Sequence, residues 1–271
     1  MRGSWRERAT WGALVVLLGA SVAVMALAES EVDRFDTVIL DAGHGGSDDG
    51  AVAPSGRLEK NVALDVTLAL AKRLRARGLR VVLTRNDDTF VPLEARTSIA
   101  NDARGDLFVS IHANAARDRR IHGSETYFLA LEASDSDAAG VAARENASFG
   151  EGESEAIAAL SDPFIALLGD MISTEHLEES SVFAKSVQGE LAMLPIKSRG
   201  VKQALFVVLT GVQMPAALVE IGFVTHPGDE AVISGPKGRE RIVAALEKAV
   251  VAFGQRYDAR RGLGAAAPEH P

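Results

Sequence analysis

Thr37-Val38-Ile39-Leu40-Asp41 runs directly into Ala42-Gly43-His44-Gly45-Gly46: a short β-branched stretch, then glycines around one histidine. This reads as a buried strand entering a loop. Just downstream, residues 59–77 carry Val62, Val66, Ala69, Leu70 and Leu74 at helical spacing and meet Gly78, a C-terminal cap. Residues 79–84 form a second short apolar run, so the order is strand, helix, strand, the grammar of an α/β sheet. Further out, 93–103 suits a second helix, 106–111 a third strand ending at His112, and 124–130 a fourth strand. The runs 182–194, 203–209 and 216–223 are strand-like or helical, and 237–253 reads as a closing helix.

On either side of this pattern the text changes character. Arg2, Arg6 and Arg8 precede an apolar run from Trp11 to Leu27 that ends in Ala26-Leu27-Ala28. A basic region, an apolar region and a small-x-small site make residues 1–28 a signal peptide, followed by a short linker, 29–36. The run is also about the length that spans a bilayer, so an uncleaved anchor is the alternative. Either way the remainder is expected to be exported. Cleavage would remove three Arg and one Glu and take the net charge from −8 to −10. An acidic chain is a poor partner for nucleic acid. The absence of cysteine excludes disulfides, thiolate zinc sites and cysteine nucleophiles, so a metal here must be held by His, Asp or Glu.

Residues 132–179 are rich in Ala, Ser, Asp and Glu and contain no strand-like run; they read as an inserted helical segment. Within them, Ser161-Asp162-Pro163 is a helix start, and Phe164, Leu167, Leu168 and Met171 follow at i, i+3, i+4, i+7. Residues 259–271, with Gly, Ala and Pro, read as a flexible tail.

Four ionisable residues are hard to explain as core: His44 after the first strand, Glu59 at a helix start, His112 after the third strand, and Glu220 inside Ala217-Leu218-Val219-Glu220-Ile221-Gly222-Phe223. Strand ends of an open α/β sheet are where sites form. Two imidazoles and a carboxylate would hold zinc with one position open, leaving Glu220 as a base. Spacing by itself is weak support, because separations of 15 and 53 residues match no short metal motif and a first-turn Glu also favours its own helix. Glu220 is the most telling, since a carboxylate among Leu218, Val219, Ile221 and Phe223 is costly to bury without a partner, and burial raises its pKa.

Val38 to Gly46, Glu59-Lys60-Asn61-Val62, Leu83-Thr84-Arg85, Ser110-Ile111-His112-Ala113-Asn114 and Leu218 to Phe223 together resemble, in order, the zinc-dependent N-acetylmuramoyl-L-alanine amidases. Leu93 with Arg96, Arg199 to Ala204 and Met214-Pro215-Ala216 agree, and Ala42 departs from a common Pro. The resemblance implies a single α/β domain over 37–258, with a mixed, mostly parallel sheet flanked by helices on both faces. It implies zinc on His44, Glu59 and His112, Glu220 as the catalytic residue, and hydrolysis of the amide between the lactyl group of N-acetylmuramic acid and L-alanine in peptidoglycan. The remaining histidines, His122, His176, His226 and His270, fall on no ligand position. A zinc hydrolase of another wall amide and a non-catalytic wall-binding module are the rival readings.

The insert resembles the regulatory segment of the autoinhibited cell-division amidases, whose release implies an activator protein with a degenerate metallopeptidase-like domain. A carboxylate laid over the cleft would fill the open zinc position. Glu145, in Val141-Ala142-Ala143-Arg144-Glu145-Asn146-Ala147, is the candidate; Glu132, Glu151, Glu153 and Glu175 are other acids of the insert. The expected location is the periplasm, with no stable membrane span after signal cleavage.

Overall fold

Strand β1 is Thr37–Ala42, and all six of its residues are buried, as befits a strand with neighbours on both sides. The computed structural model describes residues 34–147 and 174–263. After β1 come α1 (Glu59–Ala76), β2 (Arg80–Leu83), α2 (Leu93–Asp102), β3 (Leu107–Asn114), β4 (Ser124–Leu129), α3 (Ser136–Ala147), α4 (Thr174–Leu191), β5 (Ser198–Ala204), β6 (Ala216–Phe223), α5 (Pro227–Ser234) and α6 (Pro236–Arg260). The strands form one six-stranded sheet in the order β2-β1-β3-β6-β4-β5, parallel throughout except where β4 meets β6. Residues 35–257 form one compact unit.

Side-chain alternation divides the core in two. Val38, Leu40, Val109, Ile111, Val219 and Ile221 face one way and pack against α1, α4 and α6 through residues such as Leu70, Phe183 and Phe253. Ile39, Phe108, Tyr127 and Leu218 face the other way, under Leu93 and Ala100 of α2 and Ala138, Val141 and Ala142 of α3. Helices therefore cover both faces, but the second face is covered sparingly and carries polar residues towards the C-terminal ends of β1 and β3. That opening becomes the site.

Several local expectations change. His112 lies inside β3, which continues to Asn114, rather than after it. The ambiguous run 182–194 is helical as far as Leu191, where α4 ends, with Phe183, Ala184, Val187, Gln188 and Leu191 buried at helical spacing. Across 203–209 the strand is β5, ending at Ala204, and Val207–Leu209 is a 3₁₀ turn. The side chain of Asn146 causes this break: it donates to Leu205 O (2.8 Å) and accepts from Val207 N (3.0 Å), drawing that backbone away from the ladder. Helix α5 has no counterpart in the sequence pattern; Pro227 opens it and His226 Nδ1 caps it by accepting from Asp229 N. The proposed signal peptide, the Ser161-Asp162-Pro163 helix start and the apolar stripe at Phe164, Leu167, Leu168 and Met171 lie outside the described residues.

Candidate active site

The loop after β1 is held by two buried arginines. Arg96 of α2 donates to Ala42 O (2.7 Å) and His44 O (2.8 Å), and Arg85 donates to Ala42 O (2.9 Å) and Gly43 O (2.7 Å). Arg96 is itself neutralised by Asp41 at 2.7 Å, which also accepts from Thr84 Oγ1 and Ser110 Oγ, each at 2.6 Å. Burial opposes charge on Asp41, but Arg96 and the two hydroxyls more than offset it, and its pKa lies below the ordinary carboxylate range. With its carbonyl so fixed, His44 is held at φ 61°, in the left-handed region that few non-glycine residues occupy. Gly43 is required beside it, because a Cβ there would come 2.4 Å from the His112 ring.

From this loop His44 Nε2 points at Glu59 Oε1 (3.0 Å), while its Nδ1 meets Asp48 Oδ2 at 2.8 Å. The Asp48 contact orients the ring, so that in the neutral imidazole the inward nitrogen is the one left to offer a lone pair. His112 reaches the same place from β3, its Nδ1 lying 3.2 Å from Glu59 Oε1. Glu59, the first residue of α1, accepts from Ala113 N and Ala51 N at 2.9 Å each, so its carboxylate is fixed from both sides. The structure thus brings His44, Glu59 and His112 together.

A fourth group joins them. Glu145 of α3 places Oε2 at 2.9 Å from His112 Nδ1 and 3.3 Å from His44 Nε2. The donor atoms of the four residues lie within 4.8 Å of one another, and all four residues are buried. Burial opposes protonation of His112, but Glu145 and Glu59 overcome it and raise its pKa to about 10; His44 is raised by the same carboxylates and by Asp48. Two buried carboxylates converging on two imidazoles are a donor set that calls for a cation, and nitrogen–oxygen donors of this kind fit zinc.

Glu220 stands next in line. In β6 it pairs with His112 of β3 on one side and Glu125 of β4 on the other, so the three side chains share one face of the sheet. It is completely buried, and neither carboxylate oxygen has a hydrogen-bond partner among the described residues. Desolvation, then the negative charges of Glu145, Glu59 and Glu125, push its pKa well above the usual range against the opposing pull of His112. Glu125, by contrast, is tied down by Tyr127 OH (2.5 Å), Asn114 Nδ2 (3.2 Å), Arg199 Nε (2.5 Å) and Lys202 Nζ (3.1 Å). Of the three, Glu220 alone has no hydrogen-bond partner among the described residues.

Sequence patterns missed Asp41, Asp48 and Glu125. Asp41 offered the same signal as Glu220, an acid inside an apolar strand, and Asp48 lies four residues after a suspected ligand. His122 and His226 stack at 4.6 Å beside Asp229, with rings 21° from parallel, and the three form a second group whose donor atoms lie within 4.8 Å of one another, with both imidazoles only half-buried.

Helix α3 is fastened along its length. Asp135 caps it by accepting from Ala138 N (2.7 Å), Arg144 Nη2 donates to Asn114 Oδ1 (2.6 Å), and Asn146 grips the backbone at 205 and 207. In front of Glu145 a cleft of about 360 Å³ opens past Val52, Ala115 and Arg144, and behind it only a void of about 10 Å³ remains.

The family model described as N-acetylmuramoyl-L-alanine amidase matches residues 38–252, nearly the whole α/β body. The chain belongs to the N-acetylmuramoyl-L-alanine amidase family. It is 31% identical over 223 residues to the amidase AmiA of Escherichia coli, covering 82% of this chain and 77% of AmiA. It is 33% identical over 230 residues to the amidase AmiC of Neisseria meningitidis, covering 83% of this chain but 53% of AmiC, so it spans about half of that relative. Among solved structures, amidase AmiC2 of Nostoc punctiforme superposes with a TM-score of 0.63 at 26% identity, over 83% of this chain and 99% of the other.

Proposed function

We propose that this amidase hydrolyses the bond between the lactyl group of N-acetylmuramic acid and L-alanine of the peptidoglycan stem, and that α3 holds it inactive. The observation that supports the chemistry is the convergence of His44, Glu59 and His112 beside an unengaged, buried Glu220. His44 Nε2, His112 Nδ1 and a Glu59 oxygen would hold zinc, which when bound supplies Lewis acidity to the amide carbonyl and to water. Glu220 takes the water's proton and hands it to the departing alanine nitrogen; its elevated proton affinity suits both halves of that transfer. No covalent intermediate on the protein is needed.

Glu145 occupies the corner that the substrate carbonyl or the water requires, at hydrogen-bond distance from both imidazoles. An exported wall hydrolase that is always active would damage its own cell, so a partner that withdraws α3 would serve as the activator during cell separation. The signal sequence supports export to the periplasm, and no helix among the described residues is long and apolar enough to cross a membrane.

Mass spectrometry of digested wall tests the bond cleaved. Free lactyl muramic ends with intact peptides are expected, abolished by chelator and restored by zinc; cuts between peptides would indicate another wall amide, and no release a binding module. Glu145→Ala should raise basal release several-fold without an activator. Equal activity of the two proteins would remove the self-inhibition.

A further inference from the structure

Beyond Glu220 and Glu125 the same face of the sheet ends in two cations, and their placement is unusual. Arg199 and Lys202 are three residues apart on β5, so strict alternation would send them to opposite faces. The β4–β5 register shifts between Ser124 and Thr126, opposite Gly200 at φ 89°, and this bulge turns both side chains to one carboxylate, Glu125. Arg199 is further immobilised over the Phe223 ring at 5.6 Å, with Nε engaged inward and Nη2 directed outward. Two cations meet one buried anion. What balances them is α3: Asp137 Oδ2 lies 3.1 Å from Arg199 Nη2, and Asp135 Oδ2 lies 3.3 Å from Lys202 Nζ.

Helix α3 therefore spans the site with acids at both ends. Glu145 sits on the imidazole pair, and Asp135 and Asp137 sit on the β5 cations. At 1.5 Å per helical residue, Asp137 and Glu145 are about 12 Å apart. The strands beneath agree, since three steps from β3 to β5 amount to roughly 14 Å. Withdrawal of α3 leaves Arg199 and Lys202 with one net positive charge uncovered at that distance from the reacting bond. An extended peptide advances about 3.5 Å per residue, so a carboxylate some three residues past the cut would reach it.

We infer that Arg199 and Lys202 form a carboxylate-binding subsite for the peptide part of the substrate, which Asp137 of α3 and Asp135, its cap, occupy as surrogate carboxylates in the closed state. This rests on the amidase reading and on the self-inhibition by α3. The ligand class is an acidic stem peptide, and the subsite selects free carboxylates over carboxamides. Glu125 keeps the two cations aligned rather than binding the ligand.

Equilibrium binding tests it without relying on turnover. A fluorescent muramoyl tripeptide with free carboxylates, and the same compound with those carboxylates amidated, would be titrated into zinc-loaded Glu145→Ala protein and into Asp135→Asn/Asp137→Asn protein, each also carrying Glu220→Gln so that the ligand is not consumed during the titration. The free acid should bind about tenfold more tightly to both, the preference should shrink as salt rises, and Lys202→Gln in either background should erase most of it. Arg199→Lys should retain part of the preference, which a merely structural role for Arg199 would not produce; because Arg199→Gln risks freeing Glu125, Lys202→Gln carries the decision. Equal affinity for acid and amide in both opened proteins would overturn the subsite. Cleavage assays on the same compounds keep the readings apart: a preference in binding without lactyl–alanine cleavage would overturn the amidase reading alone, and a preference with equal activity in parent and Glu145→Ala would overturn only the self-inhibition.

Discussion

Glu220 and Asp41 show how differently one residue type behaves on the same sheet face. Asp41 is buried with an arginine and two hydroxyls, so its charge is stabilised and it positions the His44 loop. Glu220 is buried with no hydrogen-bond partner among the described residues, a cost that a purely structural position would not carry. Glu220→Gln should leave zinc content and fold intact and lower turnover by about 10² to 10⁴, the usual share of acid–base help. Near-normal turnover in that variant, measured on purified wall with zinc content checked in parallel, would move the base elsewhere. His44→Ala should do the opposite, losing stoichiometric zinc by elemental analysis, because the nitrogen that faces Glu59 is removed while Glu220 is untouched.

Among the elements, α3 is held by few apolar contacts and several polar ones, which suits the release proposed for it. Ala138, Val141 and Ala142 are small, so their burial contributes less than the large side chains of α1 or α6 do. Asn146 couples the helix to the backbone at 205 and 207, away from the imidazoles. Asn146→Ala should therefore raise basal activity in the same direction as Glu145→Ala but leave the zinc ligands and Glu145 itself in place; unchanged activity would show that the Glu145 contact alone closes the site. Elements of this kind were the least legible in the sequence. The strand at the start of 37–46 and the helix at 59–77 follow from apolar patterning, because the strand is buried on both faces and the helix buries one regular face against the core. Strand β5 does not, because it is an edge strand whose residues Arg199 and Lys202 are chosen for a polar contact, and the turn after it is set by Asn146, a residue 59 positions from Leu205. Glu59 and His112 stood out only as ionisable residues at a helix start and a strand end, and their assignment as ligands rested on family resemblance, since their convergence depends on the crossover from α1 to β3 and leaves no short spacing to read.

Across the whole molecule, the buried carboxylates set the response to acid. Asp41 and Glu125 have folded pKa values below their ordinary ones, so each contributes stability that is present above its unfolded pKa and is lost as pH falls through its folded pKa. Thermal unfolding of the zinc-free protein should accordingly show a midpoint that drops as pH is lowered below about 4, and Asp41→Asn should weaken that dependence as well as lowering the midpoint at neutral pH. A midpoint in the variant with the parent's full acid dependence would assign the effect to other groups.

Stability and activity should also be opposed through the metal. A ligand that binds only the folded state stabilises it by about 2.7 kcal/mol at a hundred times its dissociation constant, and more when it binds more tightly. Glu145 adds a second carboxylate to the set formed by His44, Glu59 and His112, so zinc should be held more tightly in the closed protein than in one lacking that side chain. For a chain of this size each kcal/mol moves the unfolding midpoint by roughly 2–4 °C. Saturating zinc should therefore raise the midpoint of the parent protein by several degrees more than that of Glu145→Ala, although the variant is expected to be the faster hydrolase. Calorimetry of both proteins with and without zinc, at matched free metal, measures the difference. An equal zinc-dependent rise in the two would mean that Glu145 touches the imidazoles without serving as a ligand, and the block would then be steric, resting on the body of α3 in the cleft rather than on its carboxylate.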